Sequence, residues 1–138
     1  MLGGTIDQLL CAQNKMDKKM FWENYYMQKI KFSNRSGSHR NCIRVFKNNT
    51  YEHERIKFDI CLKLFKEGYT IWTECIFTTG QRADILAISG KHGYVIEIET
   101  LKSPKEMGKK LNQKYKYPDE FTLVVVNTKE FNIDKWNL

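Results

Sequence analysis

Residues 81–100, QRADILAISGKHGYVIEIET, set three acids into otherwise apolar surroundings: Asp84, Glu97 and Glu99. Successive side chains of a strand point to opposite faces, so Glu97 and Glu99 share one face while Ile96 and Ile98 take the other. Pairing of the two flanking strands around a turn at 89–93 brings Asp84 towards the Glu97 side. Charged side chains are rarely buried unless they are paired or bound to metal. Clusters of two or three carboxylates suit Mg²⁺ or Mn²⁺, whose remaining positions go to water and substrate phosphate. Phosphodiester hydrolysis is the chemistry to expect of such a cluster. The same alternation also suits the solvated face of a half-exposed edge hairpin, with Glu97 and Glu99 beside Lys91 or Lys102. Spacing alone leaves both readings open.

The surrounding elements decide whether the acids can meet. TYEHERIKFDICLKLFKEGY is the clearest helix, with Thr50 as N-cap, acids in the first turn and Gly68 as a stop. Phe58, Cys61, Leu62 and Phe65 make an apolar stripe, and Glu54 lies on it, aimed at whatever the helix packs against. Glu52 and His53 are alternatives for that place, and all the early acids also complement the helix dipole. YTIWTECIF (69–77) alternates as a strand and turns at 78–81 into the Asp84 strand. Beyond Glu99, Ser103 caps and Pro104 starts a lysine-rich helix that ends before Pro118. FTLVVVNT (121–128) reads as a strand buried on both faces, and a short helix over 129–136 closes the chain. The predicted class is α/β, in the order α-β-β-β-α-β from residue 50, with a central mixed sheet flanked by helices.

Ahead of this core (50–138) lies an extension, residues 1–49. It holds a short predicted helix over 6–12 capped by Thr5, a roughly helical aromatic stretch from Asp17 to Phe32, and a loop, SNRSGSHRNCIRVFKNNT, with a strand-like CIRVF inside. The aromatic residues Phe21, Trp22, Tyr25 and Tyr26 suit packing on the core, or stacking on bases. The net charge of +7 is uneven: residues 1–50 hold nine Lys/Arg and three Asp/Glu, the remainder fourteen and thirteen. Arg35, His39, Arg40, Arg44 and Lys47 form a cationic surface able to follow a phosphate backbone, or one that only keeps the protein soluble.

At 138 residues the chain is one domain in size. No apolar run of about 18 residues and no apolar signal core is visible, so a membrane span and a secretory signal are not supported, and a cytoplasmic location is expected. Cys11, Cys42, Cys61 and Cys75 have no metal-ligand spacing and read as free or buried thiols.

The element order, an acid on the first helix, Arg82-Ala83-Asp84 on the second strand and Glu97-Ile98-Glu99-Thr100 on the third together resemble the PD-(D/E)-x-K nuclease superfamily. Within it the chain is most similar to archaeal Holliday-junction-resolvase-like and restriction-endonuclease-like proteins, in which a strand ending E-I-E-T is followed by a Lys/Ser segment, here Leu101-Lys102-Ser103. The resemblance covers about residues 50–128. Ala83 stands where the superfamily usually has Pro, and Glu99 where it usually has the Lys that orients the attacking water; some restriction enzymes of the superfamily also carry Glu there.

The resemblance implies a restriction-endonuclease-like core and a Mg²⁺- or Mn²⁺-dependent endodeoxyribonuclease. Its metal ligands would be Asp84 and Glu97, joined by the Ile98 carbonyl, and Glu99, as a ligand of a second ion or else a general base, with Glu54 acting through water and Lys102 supplying a cation. Gln81, Arg82, Lys105, Lys109, Lys110 and Lys114 would join the N-terminal cations on the DNA backbone, and a homodimer is expected because such enzymes often pair to cut two strands. Two other readings compete. One is a DNA-binding protein that keeps the fold without cleaving, motivated by Glu99 in the Lys place. The other is an adaptor whose basic arm binds an acidic protein partner.

Overall fold

The computed structural model describes residues 18–31, 39–101, 103–112 and 117–138. Residues 18–27 form helix α1. There follow α2 (Tyr51–Lys66), β1 (Thr70–Ile76), β2 (Arg82–Ser89), β3 (His92–Glu99), α3 (Pro104–Asn112) and β4 (Phe121–Asn127). The expected order from residue 50 is therefore present. The sheet runs β1-β2-β3-β4, antiparallel through β3 and parallel between β3 and β4. A parallel pair needs a long crossover, and α3 lies within it. The predicted helix over 6–12, Arg35, Lys102 and Lys114 lie outside the described residues.

The Thr50 side chain caps α2 by accepting the His53 amide at 3.2 Å. The buried face of α2 differs from the expected stripe. Ile56, Lys57, Ile60, Cys61 and Leu64 face inward, whereas Phe58, Leu62 and Phe65 are exposed. The helix carries two apolar stripes, and the inward one includes a lysine that ion pairs make tolerable inside. Ile56, Ile60, Cys61 and Leu64 pack with Ile71, Ile85, Ala87, Ile96, Ile98 and Val126 on one face of the sheet. The other face holds Tyr26, Ile30, Trp72, Cys75, Phe77, Leu86, Val95, Tyr117 and Phe121. Tyr26 and Ile30 are nearly or fully buried, so this part of the extension belongs to the core. A β-carbon on Gly93 would lie 2.7 Å from the Tyr26 ring, so glycine there admits the ring.

Two departures from regular strand geometry prepare the site. Trp72 and Cys75, and likewise Ala83 and Leu86, share one core cluster although each pair is three residues apart. Both strands thus invert their alternation between these positions, at Glu74, whose φ is +50°, and its opposite number Asp84. Secondly, β2 and β3 stop pairing after Ile85↔Ile96, while β1 and β2 continue to Ile76↔Arg82. An opening is left beside Asp84 and Glu97.

The two sheet edges are finished differently. The CIRVF segment forms only an isolated bridge, Cys42↔Trp72, but it sheathes β1: Asn41 N–H donates to Ile71 O, Arg44 N–H to Thr73 Oγ1, and the Arg44 guanidinium to Thr73 O and Glu74 O. β4 was expected to be buried on both faces. It is instead an edge strand whose centre, Leu123 to Val125, is half-buried. Its two faces contribute to opposite core clusters, which is why the run is apolar throughout. Residues 129–136 form turns rather than the expected helix. There the Asn132 side chain accepts the Asp134 amide at 3.0 Å, a local bond that competes with helix. Cys42, Cys61 and Cys75 are free, and burial pushes the Cys61 and Cys75 thiols up to about 12. No helix among the described residues is long and apolar enough to cross a membrane.

Candidate active site

The opening between β2 and β3 is closed by side chains. Asp84 Oδ2 accepts the Ile98 amide at 2.8 Å, taking the place of the missing strand partner. The same oxygen lies 3.3 Å from His53 Nε2, and His53 Nδ1 lies 2.9 Å from Glu54 Oε1. On its other side Asp84 shares a hydrogen bond with Glu97, and Glu97 Oε1 accepts the Tyr117 hydroxyl. A hydrogen-bonded string, Glu54–His53–Asp84–Glu97–Tyr117, thus crosses the end of the sheet from α2 to the segment before β4.

The protonation of this string follows from its surroundings. Burial, then the Asp84 charge, push Glu97 up to about 9 in spite of the Tyr117 bond, and Glu99 adds its own charge. Burial also opposes ionisation of Asp84, but bonds to His53, the Ile98 amide and Glu97 hold it below the ordinary carboxylate value. Two carboxyls in one pocket cannot both ionise cheaply, so the pair keeps one proton, on Glu97. The His53 imidazole is disfavoured as a cation by burial, yet Asp84 and Glu54 outweigh this and raise its pKa. Tyr117 is raised by burial and by the Glu97 charge.

A second cluster supports the first from below. Lys57 is 1% exposed, and its ammonium meets Glu54 Oε2 at 2.7 Å, Glu74 Oε1 at 3.0 Å and Arg44 O at 2.6 Å. Glu54 further accepts the Phe46 amide at 3.0 Å and the Asn49 amide group at 2.8 Å. Burial works against its ionisation, but Lys57 and these donors hold it at about 2. Glu74 Oε2 lies 3.1 Å from Arg82 Nε as an ion pair rather than a hydrogen bond, and the Arg82 guanidinium stacks on the Phe46 ring at 3.8 Å.

Of the residues expected at the site, the structure brings Asp84 and Glu97 together, with Glu99 within electrostatic reach of Glu97. Glu54, not the exposed Glu52, turns inward, and it reaches Asp84 through His53 rather than directly. Gln81 approaches Tyr117 and Arg82 stands at the rim. Lys47, Lys105 and Lys109 are exposed, and Lys110 lies on α3. Arg40 is exposed and paired with Glu23 at 3.0 Å. Arg44, expected on a phosphate-facing surface, spends its guanidinium on backbone carbonyls of β1 because that edge has no other strand to satisfy it. Lys57, Glu74 and Tyr117 join the site without being expected there. A lysine between Ile56 and Ile60, and an acid in the middle of TIWTECI, were the available signals; nothing local marks Tyr117.

No protein-family model matches this chain, no curated protein matches it, and no solved structure matches it. Among the described residues no three His, Cys, Asp or Glu side chains form a ready metal cage. Asp84 and Glu97 are two hard oxygen donors converging from adjacent strands, a set that fits a cation completing its shell with water and phosphate.

Proposed function

We propose that the protein is a metal-dependent DNA endonuclease with a restriction-endonuclease-like core. The observation that carries this reading is the Asp84–Glu97 pair, two carboxyls forced to share a proton in the opening between β2 and β3. A divalent cation fits where that proton is held. Asp84 and Glu97 would hold Mg²⁺ or Mn²⁺, and the ion would polarise the scissile phosphate and lower the pKa of water.

The chain's own groups have distinct tasks on this reading. Ile98 N–H and His53 orient Asp84, and Tyr117 orients Glu97. Glu54, fixed by Lys57 and the Phe46 amide, holds His53. Glu99, on the same strand face as Glu97, would take the proton of the attacking water as the water oxygen bonds to phosphorus and the opposite phosphorus–oxygen ester bond breaks, its oxygen leaving with a proton from solvent. Arg82, stiffened by Phe46 and Glu74, meets the phosphate backbone at the rim, and Lys105 and Lys109 extend that contact.

A second reading, a DNA-binding protein that keeps this fold without cleaving, is favoured by two observations. Glu99 occupies the place of the expected lysine, and the buried Lys57 is fully engaged by Glu54, Glu74 and Arg44 O. Incubating plasmid, linear and four-way-junction DNA with Mg²⁺ or Mn²⁺, for the native chain and Asp84→Ala, separates the two. Cutting that the variant loses supports the nuclease. Salt-sensitive DNA binding without cutting by either protein supports the second reading, and no DNA binding at low salt sinks both.

A further inference from the structure

The outward face of α2 carries an apolar stripe that belongs to neither core cluster. Tyr51 is 85% exposed, Phe58 50%, Leu62 39% and Phe65 51%. With the exposed Arg55 they run at spacings of four, three, four and three residues, the seam pattern by which two helices interlock. The inward face of the helix is already committed to the sheet through Ile56, Ile60, Cys61 and Leu64.

The charges beside this seam are polarised along the helix. Exposed Glu52 flanks its start and exposed Lys66 its end, and both follow a seam residue directly. A parallel neighbour of the same sequence would set Glu52 against Glu52 and Lys66 against Lys66. An antiparallel neighbour sets each Glu52 against the other copy's Lys66, Tyr51 against Phe65, and Phe58 across the axis from itself. Helix dipoles then also oppose one another. A contact that is self-complementary under a two-fold rotation is what a homodimer requires.

We propose that α2 is the dimer interface of this protein, packing antiparallel on α2 of a second copy. Asp59 comes near its own counterpart at the axis, where Arg55, one turn earlier, supplies the opposing charge. His53, Glu54 and Lys57 are engaged with one another, Asp84 and Glu74, so the contact uses none of these side chains and does not depend on the nuclease reading. Four large side chains per copy make a small patch, so the affinity is roughly micromolar and dimerisation depends on concentration.

Sedimentation velocity of the full chain from about 1 to about 300 µM tests this, a range that brackets a roughly micromolar constant. The expected result is a shift from one chain to two, which Phe58→Glu abolishes while circular dichroism stays native. Lys66→Glu should weaken the dimer about tenfold by opposing acids at both ends, and Glu52→Lys combined with Lys66→Glu should restore it. A native chain that stays monomeric throughout overturns the proposal, as does a dimer indifferent to both single variants. Failure of the double variant to recover overturns the antiparallel arrangement.

Discussion

Asp84 Oδ2 accepts the Ile98 amide at 2.8 Å where β2 and β3 have ceased to pair. A side chain here completes a backbone ladder, so the carboxylate is held in place by the fold itself. The same oxygen faces His53, and its carboxyl shares a proton with Glu97. One acid thereby links the sheet's architecture to the chemistry proposed for it.

Metal should relieve the Asp84–Glu97 conflict. At millimolar Mg²⁺ or Mn²⁺ the expected outcome is a raised Tm, larger near pH 8.5 than near pH 6, because the cation displaces the proton held by Glu97. Differential scanning fluorimetry with Asp84→Asn as the control reads this; an equal shift in the variant, or none in the native chain, rules out the site.

The pH dependence of metal-free stability has a determined sign. Glu97 is held at about 9 in the folded chain, so the fold keeps a proton that the unfolded chain releases above the ordinary carboxylate range. Stability therefore falls as pH rises from about 5 to about 9. His53, also raised, contributes stabilisation that is present below its ordinary value of 6.5 and lost as pH rises through its folded pKa. Glu54 works the other way: its contribution is present above the ordinary carboxylate value and lost as pH falls towards about 2. Urea denaturation at pH 5, 7 and 9 should show the alkaline decline, and Glu97→Gln should flatten it. An unchanged slope in that variant refutes the assignment.

Lys57→Met removes the cation that Glu54 and Glu74 enclose. Leaving two largely buried carboxylates uncompensated should cost about 3 to 5 kcal/mol. Urea denaturation at neutral pH measures it, and a loss below about 1 kcal/mol would show that the three groups are not coupled as described.

Gly93→Ala drives a β-carbon to within 2.7 Å of the Tyr26 ring. The expected loss is about 1 to 3 kcal/mol, as for other overpacked cores. Combining it with Tyr26→Ala should give less than the sum of the two single losses, since the clash is gone. Strict additivity in thermal denaturation would mean that the ring does not occupy that space.

Much of the local structure was legible in the chain. Thr50 followed by first-turn acids, the Ser103-Pro104 start, and the turn within 89–93 are signals contained in a few residues, and each stands where it was read. Period-two alternation also placed Glu97 and Glu99 on one face. Pattern could not choose between the two stripes of α2, since both are apolar and a buried Lys57 is tolerable only once Glu54 and Glu74 surround it. Nor could it tell a strand covered on both faces from an edge strand whose sides join different clusters, as in β4. The Lys57–Glu74 pair spans 17 residues, Asp84–Ile98 14 and Tyr117–Glu97 20. Local propensities act within about one helical turn or one strand pair, whereas these contacts exist only after the sheet has formed. Residue types and strand alternation are enough to say which acids are available and which face two of them share. Which of them carries a proton follows only from the folded chain, because that depends on burial and on neighbours distant in the chain.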